Sequence, residues 1–202
     1  MAILVLDPGK QAQLLALWTA EGDVLSTEVW DGVTVFNPLY DNHHQAIRGI
    51  LMIACMQAVE DAGEVRMGVN LSDRAPNWEE NYRCPDVVVF LHSSHAVCHD
   101  MFWMGGPDFV AEVISPGETP SARLGFYESI ATREVLIVHR QPWRLDLFVL
   151  TDNKLELAGS SVPTSPDVCT SAALGLTFRL VPEAVRPKVV ITHPATGRTR
   201  SV

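Results

Sequence analysis

PDFVAEVIS, residues Pro107–Ser115, decides how this chain is read. In an extended chain Val110 and Ile114 fall on the same side as Glu112, while Phe109, Ala111 and Val113 fall on the other. The stretch predicts a strand apolar on both faces with one carboxylate set into it. CPDVVVFL, residues Cys84–Leu91, repeats the pattern, with Asp86 where the apolar run begins. A lone ionised carboxylate in a dry strand costs several kcal/mol. Such an acid therefore reaches water at the sheet's rim, pairs with an arginine, or shares a cation with a second acid. Mg²⁺ is typically held by one or two carboxylates, with water and phosphate oxygens completing the octahedron.

Working outward, the chain predicts helices on either side of these strands. TEVWDGVTVF (27–36) alternates around Asp31–Gly32, the signature of a two-residue hairpin. A helix is expected over 43–61, with Asp41 or Asn42 as N-cap and Gly63 as its stop; its apolar residues reach far around its girth, so packing on two sides is expected. An amphipathic helix is expected over 11–20, a strand over 64–72, and a helix opening at Thr119 (N-cap) and Pro120 (first helical position). Three β runs then follow, EVLIVHR, WRLDLFVL and KLELAG, joined by turns at Gln141–Pro142 and Asp152–Asn153, with a last strand LTFRLV and a small hairpin around HPATGR. Together these give an α/β chain with a mixed β-sheet flanked by helices.

The 202 residues, 47% apolar and 19% charged, suffice for one sizeable core. One domain over 1–202 is expected, with its core at about 25–160 and a C-terminal strand and hairpin extension over 170–202. A net charge of −9 argues against a general nucleic-acid or membrane coat, though not against a local basic cleft. No apolar run approaches the ~20 residues that span a bilayer, and MAILVLDPGK meets charge too early for a signal peptide. Four cysteines without CxxC pairing suit a reducing, cytoplasmic setting.

The ordered set of PD, PDFVAEVISP, a helix carrying a tyrosine, and REVLIVHRQPWRLDLFVL, preceded by TEVWDGVTV and HHQAIRGIL, resembles a restriction-endonuclease family of the PD-(D/E)XK nuclease superfamily. The resemblance runs to about Leu150. It implies a restriction-endonuclease-like fold and a divalent-metal-dependent phosphodiester hydrolase using Mg²⁺ or Mn²⁺. Asp86 matches the first acid of the motif and Glu112 the second, and the Val113 carbonyl would face the same metal. Ile114 stands where the superfamily pattern has its lysine. Related sequences place a lysine instead in the next helix, four residues before the tyrosine; here that position is Arg123, one turn before Tyr127. Arginine stays charged and donates hydrogen bonds but cannot act as a base. Glu28 and His44 match a further acid and a histidine of the family.

Each of these has a plainer reading. Arg123 would serve as an exposed helix residue paired with Glu118 or Glu128, Glu28 as a cross-strand polar residue, and His44 as a cap or packing group. His92, His95, Cys98 and His99 are zinc-ligand types, but one short loop with this spacing is a poor zinc knuckle; a surface loop over the cleft is expected instead, with Trp103 and Met104 closing over the site or packing. Arg133, Arg140 and Arg144 follow Arg123 closely enough to rim a groove, or are solvated surface charge. The chain has no glycine-rich phosphate loop and no G-x-S-x-G elbow. Two functions are carried forward. One is a metal-dependent nuclease acting on nucleic acid, DNA in the first instance, with a homodimer suited to cutting both strands. The other is a catalytically weakened binding or assembly module of the same fold.

Overall fold

The structure is a computed structural model that describes residues 3–7, 9–10, 12–13, 16, 27–37, 40–115 and 120–202. The helix expected over 11–20 and the cap expected at Thr119 lie largely outside these residues. Among the described residues the strands, numbered in chain order, form three sheets. The central one runs β13 (Lys154–Ser161), β12 (Trp143–Thr151), β11 (Glu134–Arg140), β10 (Phe109–Val113), β7 (Val87–Leu91), β4 (Gly63–Arg66). Its β10–β11 pair is parallel and the other pairs are antiparallel, giving the mixed sheet the sequence predicts.

Strand alternation sorts this sheet's side chains into two cores. Val87, Val89, Phe109, Ala111, Val113, Leu136 and Val138 face one cluster, which includes Ile47, Leu51 and Cys55 of helix α1 (Asn42–Val59). Val88, Phe90, Val110, Ile114, Val135 and Ile137 face the other, which includes Phe126 and Tyr127 of helix α2 (Ser121–Ser129). Glu112 follows the parity of Val110 and Ile114 and so points to the α2 side.

A second sheet holds the hairpin β2 (Thr27–Trp30) and β3 (Val33–Phe36), flanked by β1 (Ile3–Val5) and the short strands β6 (Tyr82–Arg83), β5 (Leu71–Ser72), β9 (Trp103–Met104) and β8 (Val97–Cys98). At the hairpin's tip Asp31 and Gly32 have φ of 48° and 82°, the positive values of a type I′ turn. A third sheet, β14 (Cys169–Ser171), β15 (Leu176–Val181), β16 (Lys188–His193) and β17 (Arg198–Ser201), lays Leu176, Phe178, Leu180, Val189 and Ile191 into the α1-side core.

Several local expectations change. α1 is capped by Asp41, whose carboxylate accepts from the His44 N–H at 2.8 Å, and it stops at Val59 rather than Gly63. Gly63 instead opens β4, where a Cβ would lie 2.3 Å from the Phe90 carbonyl oxygen. α1 packs on β4, β7 and β10 of the central sheet and also on β16 and β17 of the third, the two-sided packing its apolar girth predicts, while Ile53 and Met56 stay exposed. Residues 64–72 split between β4 and β5, which belong to different sheets. Pro120 is the N-cap of α2 rather than its first residue.

Candidate active site

The β7–β10 ladder ends at Val87↔Ala111, so the next residues, Asp86 and Glu112, sit side by side where strand pairing stops. Asp86 replaces the missing ladder acceptor with its own carboxylate: the Val113 N–H donates to Oδ2 at 2.8 Å. Arg48, from α1, donates through Nε to the Asp86 carbonyl at 3.1 Å and stands 3.6 Å from Oδ1. His44 Nε2 lies 3.3 Å from Oδ2 without hydrogen-bond alignment, and the ring stacks on Tyr40 at 4.1 Å. Asp86 and Glu112 are 3% and 5% exposed.

Glu112 meets α2. The Tyr127 hydroxyl donates to Oε1, and Arg123 Nη1 donates to the same oxygen at 3.2 Å. The i, i+4 spacing predicted for Arg123 and Tyr127 thus places both on Glu112. Arg123 is 5% exposed, which removes its reading as a surface helix residue. Its Nη1 also donates to Glu28 Oε1 at 2.8 Å, and its Nη2 donates to Asn37 Oδ1 at 3.3 Å. Glu28 is fully buried and engaged on both oxygens, by the Cys84 N–H at 3.0 Å and Trp30 Nε1 at 2.8 Å besides Arg123. Its immediate partner is therefore the guanidinium.

Sequence reading missed Arg83. It is 4% exposed, its guanidinium lies 4.5 Å from the Trp30 ring centroid and 4.4 Å from that of Phe126, and Nη1 donates to the Val29 carbonyl at 2.9 Å. Stacked between a hairpin residue and an α2 residue, it ties the two elements that carry Glu28 and Arg123. Burial pulls Arg83 down to about 10, opposed by Glu28. No spacing rule singles out an arginine that waits for two distant rings.

Burial pushes the Glu112 carboxyl up to about 8; Arg123 pulls it down, and the charges of Asp86 and Glu28 push it up. Among the described residues no three His, Cys, Asp or Glu side chains stand together as a metal cage. Two adjacent carboxylates nonetheless offer the hard oxygen donors that suit Mg²⁺ or Mn²⁺, ions that fill the rest of their shells with water and phosphate.

The histidine loop is elsewhere. His95 lines a cavity with Gly106, Asp108, Ile130 and Arg133, at the start of β10 rather than at its Glu112 end. Trp103 packs on Phe90, ring centroids 3.7 Å apart, and does not close over the acids. The arginines that follow Arg123 are dispersed among Asp108 (Arg133), Asp41 (Arg140) and Asp146 (Arg144).

The sequence profile of the Uma2 family, described as "Putative restriction endonuclease", matches residues 12–180. The chain belongs to that family. No curated protein matches it in sequence. Among solved structures it is similar to a protein from Anabaena variabilis ATCC 29413 described as a putative nuclease. That match has a TM-score of 0.53 at 14% identity, over 65% of this chain and 75% of that one. At this identity the likeness speaks for the fold, which is nuclease-like, as the Uma2 family resemblance implies. No helix among the described residues is long and apolar enough to cross a membrane.

Proposed function

We propose that this Uma2 chain hydrolyses phosphodiester bonds in nucleic acid, DNA in the first instance, with a divalent cation held by Asp86, Glu112 and the Val113 carbonyl. The observation that carries the reading is the side-by-side placement of Asp86 and Glu112 where the β7–β10 ladder stops. Bound there, Mg²⁺ or Mn²⁺ supplies the Lewis-acid charge that phosphodiester hydrolysis uses. Arg123 donates hydrogen bonds to the charge that builds on the phosphoryl oxygens. It does not take a proton, because a guanidinium stays charged. Tyr127 fixes the rotamer of Glu112, Glu28 fixes that of Arg123, and His44 with Arg48 hold Asp86.

A second reading has its own observation. Arg123 gives the two glutamates a permanent counter-ion, which suits a nuclease fold retained for binding or assembly. One experiment separates the two. The metal-stripped protein is titrated with Mn²⁺ beside Asp86→Ala and Glu112→Gln, and each is assayed for nicking of supercoiled DNA. Nicking by the wild type alone supports hydrolysis. A folded wild type that neither binds Mn²⁺ nor nicks DNA, in the presence of oligonucleotide as well, overturns it and leaves the binding module.

A further inference from the structure

Arg123 Nη1 occupies one spot between two carboxylate oxygens, 2.8 Å from Glu28 Oε1 and 3.2 Å from Glu112 Oε1. The contacts are unequal in their support. Glu28 is held from behind by the Cys84 N–H and the Trp30 indole, and the guanidinium lies 5.6 Å from the Trp30 ring centroid. Among the described residues Glu112 is held by Tyr127 and Arg123, and its contact with the arginine is the longer of the two that Nη1 makes. Anchored on the Glu28 side, the guanidinium can let go of Glu112 first.

The surroundings contain buried polar atoms without an aligned hydrogen bond. Among the described residues Asn37 Nδ2 and His44 Nδ1 are buried without a hydrogen-bond partner, and His44 Nε2 has only its unaligned 3.3 Å contact with Asp86 Oδ2. Asn37 holds Arg123 Nη2 and His44 adjoins Asp86, so these atoms flank the arginine–acid pocket on two sides. A buried donor left unpaired costs about 1–3 kcal/mol. A phosphate oxygen is the ligand chemistry that such donors, together with a released guanidinium, would accept.

We infer that Arg123 and a divalent cation compete for Glu112: the guanidinium is the resident counter-charge, and the site takes a cation fully only when Nη1 leaves Glu112 for a phosphate oxygen of the nucleic acid. The inference rests on the proposed hydrolytic site. It makes cation and nucleic acid cooperative ligands, each raising the affinity of the other by the same factor. It also gives the arginine at this position a role different from a lysine's, since Nη1 sits between the two carboxylates while Nη2 stays on Asn37 Oδ1, a two-pronged hold that a single ammonium lacks.

The test is calorimetric titration of Mn²⁺ into metal-stripped wild type and Arg123→Gln, each with and without a non-hydrolysable phosphorothioate oligonucleotide, with near-ultraviolet circular dichroism to establish the fold. Arg123→Gln is expected to bind Mn²⁺ at least ~10-fold more tightly than wild type without oligonucleotide, the lower end of what one adjacent charge does to a carboxylate's proton affinity. The oligonucleotide is expected to tighten Mn²⁺ binding to wild type at least ~5-fold and to leave Arg123→Gln nearly unchanged. The wild-type arm needs no substitution and stands even if the variant misfolds. Equal or weaker Mn²⁺ binding by a folded Arg123→Gln, or no oligonucleotide effect on wild type, overturns the competition while leaving Mn²⁺-dependent nicking intact as a separate result. No Mn²⁺ binding in any arm overturns both the competition and the cation site.

Discussion

The Val113 N–H points at Asp86 Oδ2, 2.8 Å away, and so the carboxylate completes the β-ladder that its own backbone leaves unfinished. One group thereby serves structure and candidate chemistry together. Asp86→Ala is expected to leave a buried N–H unpaired and to lower stability by about 1–3 kcal/mol, whereas Asp86→Asn, which keeps an acceptor oxygen, is expected to lose less. Urea unfolding of the two variants checks this. Equal losses would show that the ladder contact contributes little.

Glu28 has three donors on two oxygens inside a closed pocket. Glu28→Ala strands Arg123, the Trp30 indole and the Cys84 N–H at once. A loss of about 3–5 kcal/mol is expected, in the range for removing one member of a buried ion pair. Combining it with Arg123→Met in a double-mutant cycle should recover part of that loss, because the second change removes the stranded charge. Additive losses would contradict the pairing.

Glu134 opens β11 and reaches across to the third sheet, accepting from the Ser171 hydroxyl and from the Ala172 and Ala173 N–H groups, the last two at 3.0 Å. Glu134→Ala is expected to free the turn at 172–175 before the rest of the fold, at a cost of about 3 kcal/mol. Hydrogen exchange at Ala172 and Ala173 is the measurement. Protection unchanged from wild type would show that apolar packing alone holds this turn.

Asp41 caps α1 and pairs with Arg140 at 2.6 Å. The His44 N–H, then Arg140, hold its carboxyl at about 2, below the usual 3.8. A depressed folded-state value means that the ionised cap's contribution is fully present above the unfolded value and is lost as pH falls through the folded one. The difference in stability between wild type and Asp41→Ala is expected to be about 1 kcal/mol near neutrality, the usual worth of a helix cap, to hold down to about pH 5 and to shrink between pH 4 and 2. Thermal melts across this range test it; a difference flat down to pH 2 would remove the charge from the account.

Asp86 and Glu112 were legible in the sequence because a carboxylate within an apolar run is conspicuous, and the hairpin at Asp31–Gly32 because its turn demands positive φ. The i, i+4 link of Arg123 to Tyr127 followed from helix geometry. What they point at did not. Arg123 becomes buried through Glu28 and Asn37, which are 95 and 86 residues away in sequence, and no local pattern encodes a partner that distant. Arg83 was invisible for the same reason. The end of α1 was misplaced because Glu60 takes a positive φ, a conformation unusual for glutamate, three residues before the glycine expected to do so.

The long separations also order events in time. Chains emerge from the ribosome N-terminus first, so Glu28 is made well before Arg123, its ion-pair partner. During that interval the nascent hairpin carries an acid whose ion-pair partner does not yet exist, and it cannot bury that acid at low cost. Closure of the pocket is therefore a late step of biosynthetic folding, and truncated products ending before α2 are expected to stay open and protease-sensitive around Glu28.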